Sequence, residues 1–151
     1  MIQDYEFYHG VVLRQIICQN LGVLITQFDF AGRVDSFRLG SDCAIHIKHS
    51  TSRMSPWIFT VSTDNLKEII ELQKRVRYVF FVLVCGFDGI VTLPIAEFVQ
   101  VSEARPGGAV PIRVSRGRKE MYSVSGNLGT LGAKKATGLG ELFAALHAGE
   151  N

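Results

Sequence analysis

The apolar positions in the first third of the chain change from helical spacing to strand spacing. From residue 4 to residue 20 apolar residues recur every three or four positions, which predicts a helix, and Gly22 follows as a stop signal. Residues 23–30 are rich in β-branched and aromatic side chains, which favours a strand. Residues 33–48 predict a β-hairpin, because two strand-like runs flank the Gly40-Ser41-Asp42 turn.

The middle of the chain predicts a further strand, a second helix and a buried strand. Residues 56–61 have a strand pattern with Pro56 at its start, and residues 62–65 offer several N-caps for the helix that follows. Residues 78–85 are apolar at every position, as expected of a central strand covered on both faces. Weaker patterns then predict further short elements: a strand at 90–93, a helix from Pro94, strands at 110–114 and 121–124, a glycine-rich loop at 126–140 and a terminal helix at 141–147.

Length and composition indicate one domain with a sizeable core. The chain has 151 residues, of which 47% are hydrophobic and 20% charged. We expect residues 1–102 to form the core, and residues 103–151 to add a basic β-hairpin and a glycine-rich extension to the same domain. The net charge of +2 is too small to indicate a nucleic-acid partner by itself. The local distribution is more informative, since residues 105–135 carry seven Lys or Arg and only one acid, Glu120.

Cysteine usage and the N-terminus favour a reducing compartment. Cys18, Cys43 and Cys85 lie in apolar runs without a short paired spacing, so we expect three buried free thiols. The first ten residues contain acids where a secretory signal would have basic residues. The most apolar run, 79–85, is far shorter than the roughly 20 residues of a transmembrane helix. These features predict a cytoplasmic protein with no membrane partner.

The predicted hairpin carries the candidate chemistry. Its second strand places His46 and Lys48 on one face, and Asp35 on the first strand can meet that face if the register allows it. A carboxylate, an imidazole and an ammonium group converging in this way would suit a metal and water site. An ordinary hairpin with a solvated polar face has the same pattern. We expect His9 and His49 to be surface residues and Trp57 to pack in the core.

The order of these elements, together with the stretch AIHIKHSTSRMSPWIFTV, resembles the PD-(D/E)XK nuclease superfamily. The resemblance covers roughly residues 4–85 and implies an α/β, restriction-endonuclease-like fold: an αβββαβ core whose mixed central sheet is flanked by helices. Asp35 would match the first acid of the family and Lys48 its lysine, while Glu6 would match the acid on the first helix. His46 stands where the family has its second acid, and Val34 stands where it has proline.

This resemblance implies metal-dependent hydrolysis of phosphodiester bonds in DNA. Asp35 and His46 would bind Mg²⁺ or Mn²⁺, Lys48 would position the attacking water, and Glu6 would assist. The missing second acid has several alternative sources: Asp42, Asp29, Glu68 and Glu71. A two-stranded target would be engaged most naturally by a homodimer, because one site reaches one strand.

The alternative is a binding module that kept the fold and lost catalysis, and that holds nucleic acid or a protein partner. The candidate nucleic-acid-binding residues are basic and lie in the loop after Lys48 and in the second half of the chain: Arg53, Arg113, Arg116, Arg118 and Lys119. A small-molecule enzyme has little support, since the glycines at 126, 129 and 132 form neither a P-loop nor a dinucleotide fingerprint.

Overall fold

The computed structural model describes residues 1–148, which form four α-helices and nine β-strands. The last three residues of the predicted 103–151 extension lie outside this described part. In chain order the elements are α1 (Asp4–Ile17), β1 (Ile25–Gln27), β2 (Ser36–Leu39), β3 (Cys43–Ser50), β4 (Trp57–Val61), α2 (Thr63–Arg75), β5 (Tyr78–Cys85), β6 (Gly89–Pro94), α3 (Ile95–Val101), β7 (Val110–Ser115), β8 (Ser123–Gly126), β9 (Gly129–Thr130) and α4 (Gly140–Ala148).

The strands form two sheets, and the larger one is mixed. Its order is β1-β2-β3-β5-β6, with β3 and β5 parallel and the other neighbours antiparallel. Parallel neighbours need a crossover connection, which β4 and α2 supply here. The second sheet, β4-β7-β8-β9, is entirely antiparallel. The prediction of an α/β fold with a mixed sheet is confirmed.

The hairpin and the central strand form where the apolar pattern predicts them. The turn between β2 and β3 contains Gly40 at a positive φ of 63°, a conformation that costs glycine little. β5 spans the apolar run 78–85, and all of its residues after Tyr78 are buried. The N-cap of α2 is Ser62, which exchanges capping hydrogen bonds with Asn65.

Two apolar layers cover the two faces of the larger sheet. On one face, Ala44 and Phe81 pack with α2, α3 and the second sheet, around the buried rings of Trp57 and Tyr122. On the other face, alternate residues of β3 and β5 pack against Val12 and Ile16 of α1 and against α4. Both faces of β3 and β5 are therefore buried, which explains their nearly continuous apolar sequence.

Two features of the fold differ from the sequence expectations, one at Cys18 and one in the glycine-rich segment. Cys18 is exposed, because it follows the last turn of α1, whereas Cys43 and Cys85 are buried free thiols. The glycine-rich segment contains β9 and a bridge between Tyr122 and Lys135. Lys135 is buried in ion pairs with Glu97, at 2.6 Å, and with Glu141, which ties this segment to α3 and α4.

Gly86 fixes the distance between the loop after β3 and the turn after β5. Its φ is +55°, and a Cβ atom at this position would overlap the Ser52 carbonyl oxygen. We predict that Gly86→Ala destabilises the fold by about 3 kcal/mol, of which about 1 kcal/mol is the cost of the left-handed backbone.

Gly22→Ala is the matched control, since Gly22 has a φ of +66° and open space around its Cβ position. We expect this variant to lose only the backbone cost, about 1 kcal/mol. Urea denaturation of both variants measures the difference. An equal loss of stability in the two variants would show that the close contact between residue 86 and the Ser52 carbonyl does not affect the free energy of unfolding.

Candidate functional site

A polar cleft opens beside the carboxyl end of β3. Its volume is about 330 Å³, and it is lined by side chains from β3, from β4 and from the residue before β2: Asp35, Ile47, Lys48, His49, Ile58, Phe59 and Thr60. Asp35 reaches this edge because β2 runs antiparallel to β3, with Ser36 opposite His46. Asp35 and Lys48 both line the cleft, but they do not share a face of the hairpin, because Ser36 pairs with His46 and Asp35 therefore lies on the face of Ile47.

The Asp35 carboxylate turns towards helix α1. Its Oδ1 lies 3.3 Å from Nε2 of His9, which is only 6% exposed. The hydrogen bond from His9 holds the pKa of Asp35 below its usual range, with help from the charge of Lys48. The expectation that His9 is a surface residue is wrong, because His9 lies on the buried side of α1 with Val12 and Ile16.

Lys48 turns towards the opposite neighbour, helix α2. Its Nζ donates a hydrogen bond of 2.8 Å to Oδ1 of Asn65, the same oxygen that accepts the Ser62 backbone N–H at 2.9 Å. Burial lowers the pKa of Lys48. The amine is thus held at the wall of the cleft by the cap of α2.

His46 lies in the interior and not in the cleft. It is 0% exposed, and its Nδ1 lies 2.9 Å from the Ser36 hydroxyl and 3.6 Å from Oε2 of Glu68. Burial lowers the pKa of His46 to about 3, so the ring is neutral at physiological pH.

Glu68 is the acid that the fold brings against the His46 position. It is 0% exposed, and neither carboxylate oxygen has a hydrogen-bond partner among residues 1–148. This burial raises the pKa of Glu68. Of the four alternative acids that the sequence offers, Glu68 is the one that contacts His46, yet the structure seals it from solvent.

Glu6 lies apart from this group. Its side chain is exposed and accepts the Gln3 backbone N–H at 2.9 Å, which completes the capping box of α1. Asp35 and Lys48 thus line one cleft from opposite faces of the sheet, His46 lies in the interior, and Glu6 makes a capping contact at the helix start.

The donor set does not fit a resident divalent ion. Within residues 1–148 no three His, Cys, Asp or Glu side chains are grouped so that they could hold a metal. Nδ1 of His46 contacts the Ser36 hydroxyl and its Nε2 is buried away from the cleft without a partner in residues 1–148, and Glu68 is fully buried. Asp35 is therefore the single carboxylate that lines the cleft in the described part of the chain. Mg²⁺ favours hard oxygen ligands that can reach it together with water and substrate.

Beside the cleft, three loops come together, and two of them carry the basic side chains that we call the basic rim: Arg53, Arg116, Arg118 and Lys119. The loop 51–56 follows β3, the turn 86–88 follows β5, and the loop 116–120 follows β7. The Gly86 N–H donates to the Ser50 carbonyl at 2.9 Å, and the Arg116 N–H donates to the Ser55 hydroxyl at 3.1 Å. These contacts hold the three loops at one end of the two sheets.

Arg116 anchors the rim, and the other cations project from it. The Arg116 guanidinium pairs with Asp88 at 2.8 Å and lies over the Tyr122 ring, 4.6 Å from its centroid. Arg53, Arg118 and Lys119 are exposed and form no ion pair within the described residues. Arg113 lies elsewhere, on β7 opposite Ile58, on the exposed side of the second sheet.

The sequence did not predict the contact of His9 with Asp35, the contact of Asn65 with Lys48 or the complete burial of Glu68. A signal for His9 exists, since it lies on the same helical face as Val12 and Ile16. Asn65 precedes an apolar helical pattern as a capping candidate, but its contact with Lys48 depends on the crossover that carries α2 over the sheet.

Comparisons of the chain with protein-family models, with curated proteins and with solved structures give no match. No helix among residues 1–148 is both long and apolar enough to cross a bilayer. The side chains of the polar cleft and of the basic rim are therefore the evidence for function.

The buried Glu68 makes a prediction about stability and pH. The unfolded chain releases this proton near the ordinary glutamate pKa of 4.5, and the folded chain releases it at higher pH. Stability is therefore lost as the pH rises from 4.5 towards the folded pKa. Glu68→Gln removes the ionisation and should raise stability at pH 8 by about 1–3 kcal/mol, with little effect at pH 4.

Thermal denaturation at pH 4 and pH 8 measures this effect. Glu71→Gln is the control on the same helix, because Glu71 is partly exposed and pairs with Lys74 at 2.9 Å. That variant should change stability by less than about 0.5 kcal/mol. A lower melting temperature for Glu68→Gln at pH 8 would show that the carboxylate is ionised and compensated in the fold.

Proposed function

We propose that this chain is a nucleic-acid-binding module built on a degenerate PD-(D/E)XK-type core that has lost its metal centre. The basic rim is the observation that carries the proposal. Three of its four cations project into solvent without an ion pair in the described residues, while Arg116 fixes the loop that bears two of them. Clustered cations without acidic partners match the phosphate backbone of a nucleic acid.

The position of the rim supports the same proposal. It lies at the carboxyl ends of the parallel strands β3 and β5, the edge at which open α/β sheets commonly bind ligands. The polar cleft opens at the same edge, and Lys48 lies in its wall. A phosphate backbone crossing the rim would therefore pass a further ammonium group, whose position the Asn65 amide fixes.

The proposed loss of catalysis has a chemical basis. In a PD-(D/E)XK-type centre the residue two positions before the lysine supplies a metal-binding carboxylate, and here that residue is the buried, neutral His46. The acid next to it, Glu68, is fully buried, and this burial raises its pKa and so disfavours the ionised form that a metal would need. Hydrolysis without a metal would leave the developing charge on the phosphate oxygens without this stabilisation.

Metal-dependent hydrolysis of DNA is the second candidate function. It is favoured by one observation, that the Asp35 carboxylate and the Lys48 ammonium line a single cleft. Plasmid DNA incubated with the protein and Mg²⁺ or Mn²⁺ separates the two candidates. We expect no nicking above background, whereas nicking that disappears in Asp35→Ala and Lys48→Ala would establish the nuclease and overturn the loss of catalysis.

The binding proposal predicts a salt-dependent affinity that depends on the basic rim. Fluorescence anisotropy with a labelled DNA oligonucleotide should show binding that weakens steeply between 50 and 200 mM salt. The double variant Arg53→Ala, Arg118→Ala should bind about tenfold more weakly and should reduce the slope of log K against log salt by about 2, because two phosphate contacts are lost.

Arg77→Ala is the matched control. Arg77 is exposed and precedes β5, so it lies at the opposite end of the sheet. This variant should bind within twofold of the unmodified protein. Equal losses in the control and in the double variant would show that binding is general attraction to a positive surface and would remove the rim from the site.

A further inference from the structure

An apolar cleft adjoins the basic rim, between helix α1 and the turn that joins β5 to β6. Its volume is about 360 Å³, within the range of about 300–1,000 Å³ typical of small-ligand pockets. Its apolar walls come from the first half of α1, from the two strands and from the turn between them: Phe7, Tyr8, Val11, Val84, Phe87 and Ile90.

Two aromatic side chains of this cleft are exposed to a degree that packing does not explain. Phe87 is 96% exposed at the tip of the turn, and Phe7 is 62% exposed on α1. An apolar group of this size gains free energy when it leaves water, and neighbouring exposed apolar groups with a polar border mark binding sites. The two phenyl groups and the exposed Val11 form one such surface.

The apolar cleft is physically continuous with both parts of the candidate site. Asp88, the next residue after Phe87, pairs with Arg116 of the rim at 2.8 Å. On the other side, the Tyr8 ring stacks on His49 with centroids 4.3 Å apart and planes 7° apart, and His49 lines the polar cleft. A single ligand can therefore contact the aromatic surface and the cations together.

The geometry points to single-stranded nucleic acid as this ligand, with an unpaired base stacked on Phe87 and Phe7 and the phosphates on the basic rim. This inference rests on the proposed function and names its substrate class. A ligand that is flat and apolar in one part and anionic in the next fits a cleft with aromatic walls and a cationic border. A duplex hides the faces of its bases, so it could use the rim but not the aromatic walls.

Charge determines which side of the cleft the phosphates follow. Asp4 and Glu6 precede Phe7 in the first turn of α1, so phosphates are repelled from that side of the cleft. Asp88 is neutralised by Arg116 and by the hydrogen bond from the Tyr122 hydroxyl. The backbone therefore runs along the loops 51–56 and 116–120, and the bases turn inward towards α1.

Anisotropy titrations with three probes of equal length test the inference: a labelled oligo(dT), the corresponding dT·dA duplex and an oligo(rU). The unmodified protein should bind the single strands at least tenfold more tightly than the duplex. Phe87→Ala should weaken single-strand binding about tenfold and leave duplex binding within twofold, because stacking on one base is lost. The ratio of the dT and rU affinities distinguishes DNA from RNA as the source.

Two controls keep the result interpretable. Ile70→Ala removes an exposed apolar side chain on α2, away from the cleft, and should change no affinity by more than twofold. Phe87 is nearly fully exposed, so Phe87→Ala should retain the melting temperature of the unmodified protein. Single-strand binding that is indifferent to Phe87→Ala, or duplex binding as tight as single-strand binding, overturns the inference while the proposed function stands. Failure to bind any probe overturns both.

Discussion

The parallel pairing of β3 with β5 is the constraint on which the rest of the molecule depends. The two strands are in register along their whole lengths, from Cys43 opposite Tyr78 to Ser50 opposite Cys85. A parallel pair requires the chain to return to the starting edge, so β4 and α2 must cross between them. The pairing thereby brings the loop after β3 and the turn after β5 to one edge, and the Gly86 N–H bond to Ser50 holds them there.

The same crossover decides the chemistry of the hairpin face. It lays α2 over His46 and Lys48, so that Glu68 and Asn65 meet side chains from a distant strand. Asn65 stabilises the ammonium of Lys48 at the cleft, whereas Glu68 enters the interior beside a neutral imidazole. Burial of a carboxylate without partners costs free energy that the apolar packing around it must offset. A centre that exposed these groups to an ion would need α2 to lie further from the sheet.

Local pattern was sufficient for most elements, although it missed β9, but it was not sufficient for the pairing between distant ones. The hairpin and the strand 78–85 follow from short-range signals, namely the Gly40 turn and an unbroken apolar run. The prediction that Asp35 meets the face of His46 and Lys48 depended on the hairpin register, and the observed register puts Ser36 on that face and Asp35 on the other. It could not tell that Asp35 would turn to His9 and Lys48 to Asn65, because these partners lie on helices whose docking is set by tertiary contacts. The rim likewise required three loops far apart in sequence to converge.

The division of the site into cations and aromatic surface has a consequence for selectivity. Phosphate contacts alone supply affinity that is lost with salt and carries little discrimination between nucleic acids. An exposed aromatic ring adds a contact that only an unpaired base can make, and this contact is less sensitive to salt because it is not a charge interaction. Phe87 is followed in the turn by Asp88, whose carboxylate pairs with Arg116 of the rim. The aromatic contact and the phosphate contacts are therefore held at a fixed spacing. A duplex can make only the phosphate contacts, and its affinity falls with salt by about 0.9 log units per contact and per log unit of salt, against about 0.7 for a single strand. Discrimination in favour of the single strand should therefore increase as salt rises.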